Sequence, residues 1–170
     1  MSEQDDLTRI EKEKTEKEKA LNEWHPRKIT MAKRFIEEEE IQKARNMVKG
    51  AIHLCELGEN IGSEQSEERP VIIVSNDRIN STATNVKVIP LSKTLKTKTI
   101  TKRGKTQTVP RVGTHFFLYK SKYTCLTYDS AAMAEGITTV SKIRLGKHLG
   151  NLTPEDLNKV LSRLKWVFDL

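Results

Sequence analysis

The residues best placed to do chemistry lie in one stretch, Gly62–Arg78 (GSEQSEERPVIIVSNDR), where a polar loop runs into an apolar strand through a single arginine, Arg69. Arg69 stands between Glu68 and Pro70, and after Arg78 no acidic residue appears until Asp129. A guanidinium offers several donors in a planar fork, which suits the oxygens of a phosphate better than a lysine point charge does. A flexible Gly-Ser loop, one fixed arginine and a long basic tract therefore suit a phosphodiester backbone. Taken alone, an arginine before a proline at a strand start equally suits a surface cap.

The elements that must position such a site can be bounded from composition. The chain has 170 residues, 36% of them hydrophobic, and a formal net charge of +7. That length fits one domain plus an appendage, since domains typically hold about 100–150 residues. The charge is uneven: residues 1–23 alternate Glu and Lys with acid in excess, whereas 78–128 carry only Lys and Arg. Such asymmetry points to a polyanionic partner for one region, the plain alternative being a solvated lysine-rich loop. Cys55 and Cys125 are far apart, with no CxxC spacing and no Cys/His cluster, so neither a zinc site nor a disulfide framework is indicated and no cofactor is expected. The N-terminus is charged, and no run approaches the roughly 18–20 apolar residues of a membrane span. A cytoplasmic protein with reduced thiols and no membrane partner is expected.

Residues 1–48 read as a charged helical extension. Pro26 disfavours helical geometry at His25 and predicts a break there, with a second helix over about Thr30–Met47, Thr30 as its N-cap and Ile29, Ala32, Phe35, Ile36, Ala44 and Met47 or Val48 in a ragged apolar stripe. After Gly50 the period changes. Strands are predicted at Ala51–Leu57, Val71–Val74, Val86–Ile89, Ala131–Ala134 and Thr138–Val140, with a turn at Asn76-Asp77 and a hairpin of Thr114–Tyr119 with Lys122–Tyr128 about Lys120-Ser121. Many short strands without intervening long helices favour a compact barrel over a parallel sheet. A final helix has Thr153 as N-cap, Pro154 at its first position, Asp156 placed for a reciprocal cap, and a core stripe of Leu157, Val160, Leu161, Leu164, Val167 and Phe168.

Residues 49–170 resemble the MazF/PemK (Kid) family of toxins from type II toxin–antitoxin systems. The resemblance rests first on KGAIHLCELGENIGSEQSEERPVIIVSNDR, and then on VIPLS at Val88–Ser92, DSAAMAEGITTVSKIRL at Asp129–Leu145 and the terminal helix. It implies a mainly β fold with helices: a small SH3-like β-barrel with a C-terminal helix, here preceded by the α-helical N-terminal extension. It further implies a homodimeric endoribonuclease that cleaves single-stranded RNA without a metal, by attack of the 2′-hydroxyl, and is neutralised by a cognate antitoxin. By the same resemblance the catalytic residues are Arg69, Ser92 and Glu135, and the loop residues Ser63, Glu64 and Gln65 bind RNA. The basic tract adds Lys93, Lys96, Lys98, Lys102, Arg103 and Lys105 as phosphate contacts, on a long loop or ribbon around Gly104. The sequence departs from the family pattern at Ser92 (commonly Thr), at Ser66 (commonly Gly) and at Gly136-Ile137-Thr138, where Gln and Arg are usual.

Other readings compete. A paired-histidine ribonuclease needs two imidazoles about one phosphate, yet of His25, His53, His115 and His148 only His115 borders the basic tract, and no spacing joins two of them. Phe116, Phe117 and Tyr119 could stack bases, although their strand pattern favours the core. A noncatalytic binding module on the same barrel is the alternative from another class. A topoisomerase poison of the CcdB type is disfavoured by the GSEQ…RPV signature. For residues 1–48 two roles stay open: the Glu37–Glu40 run covering the basic surface in cis, or a solvated helix or dimerisation arm.

Overall fold

The computed structural model describes residues 3–102 and 104–170. Its first element is a single helix, α1 (Glu3–Glu37), which runs straight through Pro26 instead of breaking at His25. Pro26 removes one intrahelical hydrogen bond, a cost of about 3 kcal/mol in a helix interior. Contacts on both sides of it hold the helix in line. Trp24 packs on Gly58, the Arg27 guanidinium approaches Glu56 at 4.0 Å, and Met31 and Phe35 are partly buried further on. Thr30 is accordingly no N-cap; its hydroxyl donates back to the Pro26 carbonyl at 3.0 Å. The inward face also differs from the predicted stripe, leaving Ile29 and Ile36 exposed. The chain bends instead at Glu38 and continues as α2 (Glu39–Ala44).

Among the described residues nine strands follow: β1 (Ala51–Glu56), β2 (Glu68–Ile73), β3 (Asn85–Ser92), β4 (Thr97–Lys102), β5 (Lys105–Pro110), β6 (His115–Leu118), β7 (Ser130–Met133), β8 (Thr138–Ser141) and β9 (Leu145–Asn151). All pairings are antiparallel, in the order β6-β7-β3-β2-β1-β9. Strand β3 is shared, pairing β8 through Asn85–Val88 and β7 through Leu91 and Ser92. The path of hydrogen-bonded strands is open, with β6 and β9 as its ends, so the antiparallel, mainly β fold is as expected but pairing does not close it into a barrel.

The unbroken apolar run of β2 has a simple cause: both faces of the sheet are covered. Ile52, Ile72 and Ile89 point into one cluster with Leu118, Leu126 and Val160, while Ala51, Cys55, Val71, Ile73, Val86 and Val88 point into another with Met47, Val140 and Leu145. Each fully buried isoleucine or valine contributes roughly 1.5–3 kcal/mol, so the two clusters carry most of the sheet's stability. Asn76 caps a short helix, α3 (Asp77–Thr82), where a turn is predicted; its side chain accepts from the Arg78 N–H at 2.8 Å.

The terminal helix α4 (Pro154–Val167) lies on the first cluster. Thr153 caps it, accepting from the Asp156 N–H at 3.3 Å. Asp156 gives no reciprocal cap, because its carboxylate accepts from the Tyr123 hydroxyl at 2.6 Å and pairs with Lys122 at 2.7 Å. Burial pushes this carboxyl up, but the hydrogen bonds from Lys122 and Tyr123 outweigh it and hold Asp156 below its ordinary value. The same contacts explain why Lys122–Tyr128 forms turns and not the second strand of a hairpin: Tyr123 and Leu126 are drawn into the core beneath α4. Phe168 leaves the predicted stripe; it is the C-cap, and exposed.

Candidate active site

At one end of the sheet, the loop between β1 and β2, the end of β3 with the segment that follows it, the 3₁₀ turn Ala134–Gly136 and strand β8 enclose an open groove of about 990 Å³. The loop is closed at its base by Leu57 N–H to Glu67 O (3.1 Å) and Glu67 N–H to Gly58 O (2.7 Å), with positive φ at Gly58 (87°) and Glu67 (67°). Inside it Asn60 is the staple. Its backbone N–H donates to Ser66 Oγ at 3.0 Å and its Nδ2 to the Gln65 carbonyl at 2.8 Å. The Ser66 departure thus has a local reason: its hydroxyl takes a donor that glycine would leave unpaired.

Arg69 is half-buried against this loop. Its Nε donates to the Ser66 carbonyl at 2.7 Å and its Nη1 to Gln65 Oε1. The β2–β3 pairing ends with Val71 against Pro90, so Arg69 and Ser92 each lie two residues beyond the last paired position at the same end of the ladder; Ser92 and Gln65 line the groove, whereas Arg69 reaches it only through Gln65. Ser92 ends β3 at the groove, its Oγ accepting from the Thr94 N–H at 3.2 Å. Glu135 lies across the groove. Its carboxylate accepts from Thr114 Oγ1 and meets His115 Nε2 at 2.7 Å, so its partners are Thr114 and His115, not Arg69. Burial pushes the Glu135 carboxyl up, but the bonds from Thr114, its own backbone N–H and His115 prevail and hold it below the usual carboxylate value.

Of the remaining sequence candidates, Ser63, Glu64, Gln65 and Lys96 line the groove. Lys93 is exposed beside Ser92. Lys98, Lys102 and Lys105 stand away from the groove on the β4–β5 ribbon, sharing one of its faces by alternation, with Lys102 paired directly to Lys105 near the tip. Arg103 lies outside the described residues. Gly136 and Thr138 form part of the groove wall, and a side chain at Gly136 would press on Pro90 Cγ at 3.1 Å. Among the stacking candidates Phe117 is buried and Tyr119 exposed.

Among the groove residues that local sequence signals do not place in the site are Asn60, His115 and Arg144. In the sequence His115 stands out only for bordering the basic tract, and its link to Glu135 depends on pairing of β6 with β7, which no local spacing reveals. The β1–β9 register also joins two histidines that sequence spacing kept apart, His53 and His148, with ring centroids 5.0 Å apart; neither lines the groove. Cys55 is inert, its thiol pushed up to about 12 by burial. Among the described residues no group of three or more His, Cys, Asp or Glu is placed to hold a metal ion, and no helix is long and apolar enough to cross a membrane.

The family model described as PemK-like, MazF-like toxin of type II toxin-antitoxin system matches residues 48–168. The chain belongs to this toxin family. It is 32% identical to the endoribonuclease MazF9 of Mycobacterium tuberculosis over 129 residues, 73% of this chain and 98% of that protein. It is 34% identical to the endoribonuclease MazF of Staphylococcus saprophyticus over 114 residues, 67% of this chain and 84% of the relative. The fold is similar to that of an endoribonuclease from a mycobacterial species (TM-score 0.53, 22% identity, 74% of this chain and 94% of the other). A MazE–MazF structure from Deinococcus radiodurans is also similar in fold (TM-score 0.51, 13% identity, 74% and 98% covered). Every residue placed about the groove above falls inside the family match, whereas α1 and α2 precede it.

Proposed function

We propose that the chain is a toxin endoribonuclease that cuts single-stranded RNA through the RNA's own 2′-hydroxyl, without a metal ion. The observation that carries this is the convergence of the Ser63–Gln65 loop, Ser92 and Glu135 on one groove, with Arg69 bonded to Gln65 at its rim. In the reaction the 2′-oxygen forms a bond to phosphorus and the bond to the 5′-oxygen breaks, leaving 2′,3′-cyclic phosphate and 5′-hydroxyl ends. The nucleophile is part of the substrate, so the protein has only to align the backbone and stabilise charge on the phosphorane. Arg69 does this with its fork, and Ser92 adds a neutral donor. Glu135, held ionised, accepts the 2′-hydroxyl proton, and the 5′-oxygen takes up a proton from solvent. Lys93 and Lys96 continue the phosphate track toward the ribbon.

The two parts of the chain, 1–48 and 49–170, act as an extension and a catalytic unit. The sheet that shares β3 between two sets of partners, open in its pairing, is the counterpart of the family's SH3-like barrel, and the protein works as a homodimer in the cytoplasm. Structures similar in fold include an endoribonuclease in complex with its cognate antitoxin, with TM-score 0.52 at 22% identity. An antitoxin with an acidic segment suits the basic β4–β5 ribbon beside the groove, where Lys98, Lys102 and Lys105 are exposed.

The test is cleavage of a mixed pool of single-stranded RNA in excess EDTA, with chemical analysis of the ends. Cyclic phosphate ends, and at least a hundredfold loss of rate in a folded Arg69→Ala variant, are expected from removal of a charge-stabilising donor. Full activity in that variant overturns the mechanism, and binding without any product supports the noncatalytic alternative.

A further inference from the structure

Helix α1 lies outside the family match, and no residue of it lines the groove; it touches the loop that holds Arg69 instead. Its partly buried positions, Asp6, Lys17, Ala20, Trp24, Met31 and Phe35, fall on one helical stripe. Trp24 lies over Gly58 so closely that a side chain there would sit 2.6 Å from the indole, at a residue whose φ of 87° already favours glycine. The Arg144 guanidinium stacks on the same indole at 5.5 Å and donates to the Glu56 and Leu57 carbonyls at 3.0 and 3.1 Å, fixing the strand end from which the loop departs. One turn pair earlier, Lys17 Nζ pairs with Glu59 and donates to the Asn60 carbonyl. Asn60 in turn holds Gln65 and Ser66, the two residues that hold the Arg69 guanidinium. A continuous line of hydrogen bonds therefore runs from α1 to the arginine.

We propose that Lys17 and Trp24 are positioning residues: α1 is a clamp that orders the Gly58–Glu67 loop and so sets the Arg69 fork for RNA cleavage. The inference rests on the ribonuclease reading. The ten residues of the Gly58–Glu67 loop carry a large conformational entropy, and fixing them in advance removes that cost from the reaction. The rival role for this extension, acidic cover of the groove in cis, lacks contacts: Glu38 of the acidic run is engaged by Arg34 and Gln42, within the extension itself.

The experiment compares full-length wild type with Trp24→Ala and Lys17→Met on a single-stranded RNA oligonucleotide. Loss of alignment without loss of RNA contacts should lower kcat about tenfold in either variant with KM within about twofold. Trp24→Phe and Lys17→Arg should restore most of it. The same two loss variants should be cut faster than wild type by a glutamate-specific protease at Glu59, Glu64 and Glu67, with thermal midpoints close to wild type. Should Trp24→Ala fail to fold, Lys17→Met decides, since it removes one partly exposed ammonium. Unchanged kcat overturns the clamp; kcat above wild type overturns it too, in favour of inhibition in cis. Should the wild type cut no RNA at all, the ribonuclease reading falls separately, and equal protease rates in wild type and variants then overturn the clamp.

Discussion

Two sets of positive charge in this molecule are built in opposite ways. Arg69 is half-buried and its guanidinium is bonded to Gln65 and Ser66, in a loop that is itself cross-braced by Asn60. Lys98, Lys102 and Lys105 project from a two-stranded ribbon, exposed along its length, and among the described residues none of them has an acidic partner. Lys102 even faces Lys105 across the ladder, a like-charge pairing that destabilises an isolated hairpin. The difference teaches where precision is needed. A charge that must meet one phosphorane is held in place by neutral acceptors that do not cancel it, whereas charges that only attract a polyanion can stay solvated and mobile.

The largest effect should come from keeping the charge and changing its geometry. Arg69→Lys is expected to lower kcat about a hundredfold, the loss seen when one donor to a transition-state anion is misplaced, while Lys98→Arg, Lys102→Arg and Lys105→Arg together stay within about twofold. Measured turnover on one RNA substrate settles it; an active Arg69→Lys variant would erase the distinction between the two charge sets. The converse substitution sharpens it. Replacing Lys98, Lys102 and Lys105 by alanine should leave kcat at saturating RNA unchanged and flatten the slope of log affinity against log salt by about 2, since each phosphate contact on a single strand contributes roughly 0.7. A salt titration of RNA binding reads this directly, and an unchanged slope would remove the ribbon from the RNA path.

How much of this was readable beforehand follows from the range of the interactions. Arg69, the β2 run, the Thr153-Pro154 helix start and the ribbon about Gly104 are local signals, carried by adjacent residues or by one periodic stripe. What sequence could not show depends on distant segments meeting. Pro26 stays helical because Trp24 finds Gly58, 34 positions further on. Lys122–Tyr128 turns because Tyr123 reaches Asp156. His115 joins the groove only through β6–β7 pairing, and Lys142 is buried only because its ammonium meets the Lys43 and Arg45 carbonyls at 2.8 and 2.9 Å, at the end of α2. Burial lowers that ammonium's pKa, with Arg45 adding to the effect, yet the carbonyls let it stay inside.

A smaller effect tests the neutral member of the groove. Ser92→Ala removes one uncharged hydrogen bond to phosphate, for which about 1–1.5 kcal/mol, or roughly tenfold in kcat, is expected; Ser92→Thr keeps the hydroxyl and should stay within about twofold. Equal rates in serine and alanine variants would leave Arg69 without a partner on β3.

The smallest effect concerns stability and has a defined sign. Glu135 has its folded-state pKa below the ordinary carboxylate value, because the bonds from Thr114, its own N–H and His115 outweigh the burial that opposes them. The ionised form is thus favoured by folding, so its contribution is fully present above the unfolded pKa and is lost as the pH falls through the folded one. The side chain is 44% exposed, and solvent screening limits the contribution to under about 1 kcal/mol. Urea midpoints of wild type and Glu135→Gln should therefore differ slightly at pH 7 and converge below about pH 4, near and beneath the usual carboxylate range. His53 must be separated from this. Burial lowers its pKa first, opposed by the Gly146 carbonyl and aided by His148, so its acid destabilisation begins nearer pH 6.5 and is shared by both proteins. A gap between the two that widens on acidification would mean that Glu135 is strained in the groove, and would place it with the solvated charges of the ribbon instead of the held ones.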